Sequence, residues 1–477
     1  MTITGGNAPD RSYRPPRPPG PPFAPADGQV PPQGRPPGLV PFRDRPRPAP
    51  ALAGEAEPVP RFGPALFAGS AATPTAADGR TGGASLRPTV TELRLSAFGT
   101  HRGVVLPLGP VTLLRGASGS GKTTALRAYE ALARLGAGAE LEEALPDAAD
   151  RVPERSRPDP QGRRGFRIGC TVDGPVGPVH LDIAVQAEPT LRIVGERLTS
   201  ADHTLFTTAL RDPERSSVQA EWHTAGNTPV TRAPFPDDIL GTALLPLRVA
   251  GKTQGQRDVL AAAEQVVVGL RSVFPCHPLP HRMRQPVPLG EGRLRRDCHN
   301  LAAVLHRTAT ECPRRHARLA ALATAGCAGT VAGLGLRESE TGGTVEAVLE
   351  RTGLPDMALG RLGDGELRYL ALGLVLLTGP GVLAVDPVAE VPQAMQTLTV
   401  LADGFDHALD ARQTAALLGL AGEICATGHM RLVAAVGEGV TGVTDELDGA
   451  GGPGESGALI GSKGADVPGV TVVDLGG

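Results

Sequence analysis

The stretch Gly116-Ala117-Ser118-Gly119-Ser120-Gly121-Lys122-Thr123 matches G-x-x-x-x-G-K-[ST], the pattern of a phosphate-binding loop. Its neighbours decide whether the match is structural. Just before it, Pro110-Val111-Thr112-Leu113-Leu114-Arg115 is short and apolar, as a buried strand is. Just after it, Thr124-Ala125-Leu126-Arg127-Ala128-Tyr129-Glu130-Ala131-Leu132 is rich in strong helix formers. Strand, glycine turn and helix in that order are the context in which such a loop works.

The chemistry requires these residue types at this spacing. Glycines let successive backbone N–H groups curl around a polyanion with no Cβ in the way. The helix N-terminus adds the positive end of its dipole. Lys122 is placed for the β- and γ-phosphates, and the Thr123 hydroxyl for Mg²⁺. Thr124 continues the first helical turn and completes the expected phosphate-binding set. The chain has three lysines, Lys122, Lys252 and Lys463, so a chance Gly-Lys-Thr is uncommon in it. The second one, Gly251-Lys252-Thr253, has Pro246 where the first loop glycine would stand, and predicts a polar loop instead.

Composition bounds the rest. The 477 residues suffice for about two to four domains. Hydrophobic residues make up 40% and aromatics only 3%, so the core must be aliphatic. A net charge of −3 gives no global basic field that would point to nucleic acid. Six scattered cysteines without a paired C-x-x-C suit a reducing, cytoplasmic setting. The longest apolar run, Tyr369 to Leu377, is too short to span a bilayer. Residues 1–87, crowded with proline, and the Gly-rich residues 438–477 are expected to be tails that bury too little apolar surface to order.

Between the tails, Thr91 to Phe98 and His101 to Leu108 alternate as two strands around Phe98-Gly99. Phe166 to Cys170, Val179 to Val185 and Leu191 to Leu198 read as an antiparallel meander. A strand pair ending in an aromatic, followed by a strand feeding this glycine loop, resembles the ATPase head shared by RecF, SMC proteins and ABC transporters. The chain is identified on that basis as a RecF/SMC-like P-loop ATPase of the wider AAA class. The resemblance implies an α/β P-loop NTPase head over residues 88–437, with an antiparallel β subdomain and a largely helical insert at about 205–355. It further implies ATP and Mg²⁺ as ligands, and a homodimer closed through the nucleotide site. Within the insert, Asp297-Cys298-His299-Asn300-Leu301-Ala302-Ala303-Val304-Leu305 is similar to a D-G-x-N-L-A-x-x-L stretch of RecF-like ATPases, with Cys298 departing from it.

Leu362-Gly363-Asp364-Gly365-Glu366, running into an apolar helix, resembles the L-S-x-G-E signature, with Gly363 replacing its Ser. The resemblance implies that Gly365 and Glu366 serve the site of a second head. Two stretches then compete for the Mg²⁺-holding acid. Gly381-Val382-Leu383-Ala384-Val385-Asp386-Pro387 is preferred for its spacing from the signature, which makes Thr123 and Asp386 the metal pair and residues 392–409 helical. Leu398 to Asp403, followed by Ala408-Leu409-Asp410, fits the D-loop spacing better. Neither Asp is followed by the family's catalytic Glu: Pro387 and Gly404 stand there. Glu390 is the nearest acid to Asp386 and the candidate general base, beside Lys122 as the second catalytic residue. Ala411 to Cys425 reads as a helix and Arg431 to Val436 as a final strand, with Gly437 where the family has a switch His.

Cys276, His277, His281, Cys298, His299, His306, Cys312 and His316 crowd one segment, but no second compact pair stands at zinc-finger spacing, so scattered thiols and histidines are expected rather than a zinc site. Two functions follow. One is a Mg²⁺-dependent ATP hydrolase. The other is an ATP-bound switch or scaffold with little turnover that docks a protein or DNA partner; the missing Glu, Gly363 and the absent switch His favour it. No feature supports DNA over protein, and none implies a membrane.

Overall fold

The computed structural model describes residues 87–476 apart from 202, 223–230, 291, 340–341, 386 and 441–468. The expected N-terminal tail therefore lies, apart from Arg87, outside the described residues. The chain opens with β1 (Thr89–Phe98), β2 (His101–Pro107) and β3 (Val111–Arg115), then α1 (Lys122–Gly136) and the one-turn α2 (Leu141–Ala144). Six strands follow: β4 (Arg164–Asp173), β5 (Val179–Glu188), β6 (Arg192–Ser200), β7 (His203–Ala209), β8 (Ser217–Trp222) and β9 (Thr231–Pro236). They join β1 and β2 in an antiparallel sheet of order β2-β1-β4-β5-β6-β7-β8-β9.

After α3 (Gly241–Arg248) and α4 (Gln254–Leu270) comes β10 (Val273–Cys276), then α5 (Pro280–Met283), β11 (Val287–Pro288), α6 (Leu301–Glu311) and α7 (Pro313–Gly326). A small antiparallel sheet is built around β13 (Thr344–Arg351), which pairs with β11, β12 (Val331–Glu338) and β14 (Leu354–Ala358). The last elements are α8 (Asp364–Leu377), β15 (Leu398–Ala402), α9 (Ala411–Cys425), β16 (Met430–Val436) and β17 (Val470–Asp474). Their strands complete a parallel sheet of order β10-β15-β16-β3-β17.

The parallel sheet is covered on both faces, and the side-chain period of two sorts its residues cleanly. Val111, Leu113, Leu398, Val400, Ala402, Leu432, Ala434 and Val436 face one core, shared with α6, α7, α8 and α9. Leu114, Leu401, Val433 and Ala435 face the other, where α1 and α4 lie against the antiparallel sheet. Layer by layer the order is antiparallel sheet, α1 with α4, parallel sheet, then the later helices. Phe98 and Phe166 meet edge-on, with centroids 4.9 Å apart, and seal the antiparallel sheet over α1.

Several expectations need correction. The stretch 205–355 is mixed rather than helical: it holds β7, β8 and β9 of the large sheet and all of β10 to β13. The Thr-, Gln- and Arg-bearing strands there are too polar on one face to stand out by hydrophobicity. Residues 392–409 contain β15 rather than a helix, because Leu398–Ala402 is buried at every position between β10 and β16. The C-terminal stretch 438–477 is not wholly a tail, since Val470–Asp474 pairs with β3 and Leu475 is buried. The second Gly-Lys-Thr is, as expected, a polar loop, and it leads into α4: Thr253 Oγ1 accepts from Gln256 N at 3.2 Å, and Lys252 N donates back to Gln256 Oε1 at 2.8 Å.

Candidate nucleotide site

The glycine loop leaves the C-terminal end of β3 and enters α1 at Lys122. Gly121, the residue before the helix, has φ +95°. A Cβ there would lie 2.6 Å from His101 Nε2, so both conformation and space call for glycine. His101, at the start of β2, bonds Gly121 O through Nε2 at 3.0 Å and ties the loop to the antiparallel sheet. Lys122 Nζ donates to Gly116 O at 2.5 Å and Ala117 O at 2.7 Å, across the concave side of the loop. The last strand supports the loop from below. Leu475 N donates to Arg115 O at 2.8 Å, and Arg115 pairs with Asp474 through two bonds of 2.6 and 2.9 Å.

The acid opposite Thr123 is Asp403. Thr123 Oγ1 donates to Asp403 Oδ1 at 2.9 Å and Oδ2 at 3.1 Å. The sheet's periodicity explains this. Leu401 faces the α1 layer, so Asp403, two residues on and just past the strand end, points to the same side. Asp386 is itself outside the described residues. Its flanking run does not enter the parallel sheet: Leu383 makes one bridge, to Leu294. Of the two competing runs, the one ending at Asp403 is the one that pairs into the parallel sheet and brings its acid to Thr123.

Glu390 is also far from the loop. It lies in an exposed turn between Val388 and Val391, which pack on Val268. Gln396 fixes that turn by donating to Val388 O and Val391 O, each at 2.7 Å, and its Oε1 bonds Ser272 Oγ at 3.1 Å. Ser272 and Gln396 precede β10 and β15, so Glu390 is at the N-terminal edge of the sheet. The glycine loop leaves the C-terminal edge, about 13 Å away along a five-residue strand. Glu390 is therefore not positioned as a general base.

Beyond Asp403 the chain is held by contacts that single-residue inspection missed. Arg368, on α8 and 4% exposed, donates to Gly404 O at 2.6 Å and Pro278 O at 2.7 Å. Burial lowers its pKa from the ordinary guanidinium value, and the nearby Cys276, Cys298, Asp403 and Asp406 act against that. Asp406 Oδ2 accepts from Gly437 N at 3.0 Å, linking the ends of β15 and β16. Asp410 caps α9, accepting from Gln413 N at 2.7 Å.

Gly365 and Glu366 lie at the start of α8. A Cβ on Gly365 would come within 2.1 Å of Ala408 O, so the helix start sits directly on the loop that follows Asp403. Glu366 accepts from Gly363 N at 3.0 Å and Ala328 N at 2.7 Å. With Gly363 at the cap, only the Glu half of a capping box exists. Arg284 clamps the preceding turn through Gly360 O at 2.6 Å, Leu362 O at 2.7 Å and Asp364 Oδ1 at 2.6 Å. These contacts join the signature to the Asp403 loop rather than to residues 116–123. Of the histidines and cysteines of the crowded segment, His316 bonds Leu334 O at 2.9 Å and His299 bonds Asp297 at 2.7 Å, and no group of three or more metal-ligating side chains gathers among the described residues.

No protein-family model matches the chain, and no curated protein matches it. Among solved structures it is similar to SMC head domains. One is a head bound to the C-winged helix domain of ScpA, at 13% identity and TM-score 0.39, covering 73% of this chain and 90% of that one. Another is the head domain from Thermotoga maritima, at 12% and 0.34, covering 73% and 89%. A third, with an extended coiled coil and bound to the C-terminal domain of ScpA, derives from Pyrococcus furiosus, at 11% and 0.37, covering 73% and 89%. Among the described residues no helix is long and apolar enough to cross a membrane.

Proposed function

We propose that this chain is a Mg²⁺-dependent ATP-binding head that works chiefly as a nucleotide-gated switch. The observation that carries this is the Thr123 hydroxyl set against the Asp403 carboxylate, at the first turn of the helix that follows a complete glycine loop. The loop amides of Gly116 to Thr124 and the Lys122 ammonium would hold the phosphates. Thr123 and Asp403 would hold Mg²⁺, which when bound neutralises phosphate charge. The hydroxyl and carboxylate are hard oxygen donors, as that ion requires, and Gly119 and Gly121 take the left-handed backbone that lets loop amides turn towards a phosphate.

Low turnover is favoured over rapid hydrolysis by the surroundings of Asp403. Gly404 brings no carboxylate to the position where a general base is needed. Asp406, the next acid, already accepts from Gly437 N. Nucleotide would instead act through position: Asp403, Gly404, Asp406 and Ala408 form one loop, held by Arg368 and set against Gly365. A ligand that orders Asp403 therefore bears on the α8 start, the surface where a second copy or another protein would dock.

Equilibrium ATP binding with and without Mg²⁺, read beside phosphate release, tests the proposal. Tight Mg²⁺-dependent binding that Lys122→Ala abolishes, with turnover slower than about one per minute, is the expected result. Turnover of several per second would reject the switch reading, and absence of any ATP binding would reject the site.

A further inference from the structure

Thr123 and Asp403 also line a cleft of about 590 Å³, bounded by α1, the end of β10, α5 and residues 295–299. It is not the mouth of the glycine loop. It opens over β10 and β15, whereas the loop rises from β3, and β10 is three strand steps, or about 14 Å, from β3. Thr123 and Asp403 are the members common to both.

The cleft is lined by Arg127, Arg282, Arg295, Arg296, His277 and His299. Three carboxylates share it, and each is already engaged. Asp297 holds Arg282 at 2.7 Å, Glu130 holds Arg296 at 3.2 Å and also Arg134 at 2.6 Å, and Asp403 holds Thr123. The guanidinium groups of Arg127, on α1, and Arg295, on the 295–299 turn, have no carboxylate partner among the described residues and both line the cleft. Arginine's planar fork suits oxyanions, phosphate above all. The volume falls in the range of small-ligand clefts and would admit a mononucleotide.

We propose that this cleft is a second binding site, for a small phosphate-bearing ligand held by Arg127 and Arg295, distinct from the glycine-loop site. Its occupant would lie against the Asp403 carboxylate and so adjoin the proposed Mg²⁺ position. The site itself does not depend on the glycine loop being a nucleotide site.

The probe is inorganic pyrophosphate, titrated calorimetrically in two backgrounds. In one the protein is saturated with Mg·ADP to fill the glycine loop. In the other it carries Lys122→Ala. Pyrophosphate is expected to bind in both, and Arg127→Ala with Arg295→Ala should weaken it at least tenfold while the melting temperature holds. Arg127→Lys with Arg295→Lys should restore part of the loss. Pyrophosphate binding to Lys122→Ala while the unsubstituted protein fails to bind ADP would sink the nucleotide switch and leave the second site standing. No pyrophosphate binding in either background, or binding indifferent to the double alanine change, would overturn the second site. A short single-stranded oligonucleotide that bound more tightly than pyrophosphate, through the same two arginines, would overturn the small-ligand assignment in favour of nucleic acid.

Discussion

The two large sheets are built on different terms. β15 is buried at all five positions, and β16 at all but Arg431. β8 instead alternates buried with partly exposed residues, and β5 does so as far as Val185. A strand covered on both faces has only its ends free, so chemistry collects at the edge where strands stop: Arg115 into the glycine loop, Ala402 into Asp403, Cys276 into the arginine-lined cleft. The antiparallel sheet has a free face but no such edge. It acts as a platform, gripping the glycine loop through His101 and covering α1. The difference teaches where to look for function: at strand termini in one sheet, at side-chain anchors in the other.

The sharpest way to test that division is to damage each core equally. Val400→Ala, in the doubly covered β15, should cost about 3 kcal/mol in chemical denaturation, because neither layer can collapse into the space. Val218→Ala in β8 should cost less than half as much, since its strand is covered on one side only. Equal losses would mean that the sheets are not so divided.

At the functional edge, Asp403→Asn should weaken Mg²⁺-dependent ATP binding on the order of 100-fold, by removing a charge from the ion. Glu390→Gln, at the opposite edge, should leave it unchanged. The reverse pattern would restore the alternative acid run around Asp386.

A smaller effect is expected at the joint between helix and edge. Gly365→Ala drives a Cβ into Ala408 O, and should destabilise by about 2 kcal/mol while lowering ATP affinity severalfold. Loss of stability with affinity intact would uncouple α8 from the site.

The platform supplies the mildest test. Glu196 on β6 is buried, and burial pushes its carboxyl up to about 7, against the pull of Thr242 N and Oγ1 and Gly241 N. A folded-state pKa above the ordinary 4.5 means that its contribution is complete below about pH 4.5 and lost as pH rises towards 7. Unfolding free energies measured across that window should fall by about 1.4 kcal/mol per pH unit at most from this group, and Glu196→Gln should flatten that part of the profile.

Much of this was legible in the residues. The glycine loop, β1, β2, β4 to β6, α1, α9 and β16 all announce themselves by period and by turn residues. The apolar run Tyr369 to Leu377 is α8, buried from Leu367 to Leu376. What escaped was decided by partners rather than by local pattern. Val382 to Val385 and Leu398 to Ala402 are equally apolar, and only one of them has β16 to pair with. Val470 to Asp474 follows a Gly-rich stretch, and its strand character comes from β3 beside it. Arg368 looks like any arginine of an Arg-rich chain until its two carbonyl partners, Pro278 and Gly404, are in view.

The order of the parallel sheet also sets a timetable. Strands of the antiparallel sheet mostly pair with their neighbours in sequence, and such contacts close quickly at little loop entropy. β3 finds its neighbours only at residues 430–436 and 470–474, more than three hundred positions later. As the chain emerges during synthesis, the platform can assemble early. The strand that feeds the glycine loop must wait with its apolar residues unpaired, exposed to misassociation and to holding chaperones, until the last strands arrive.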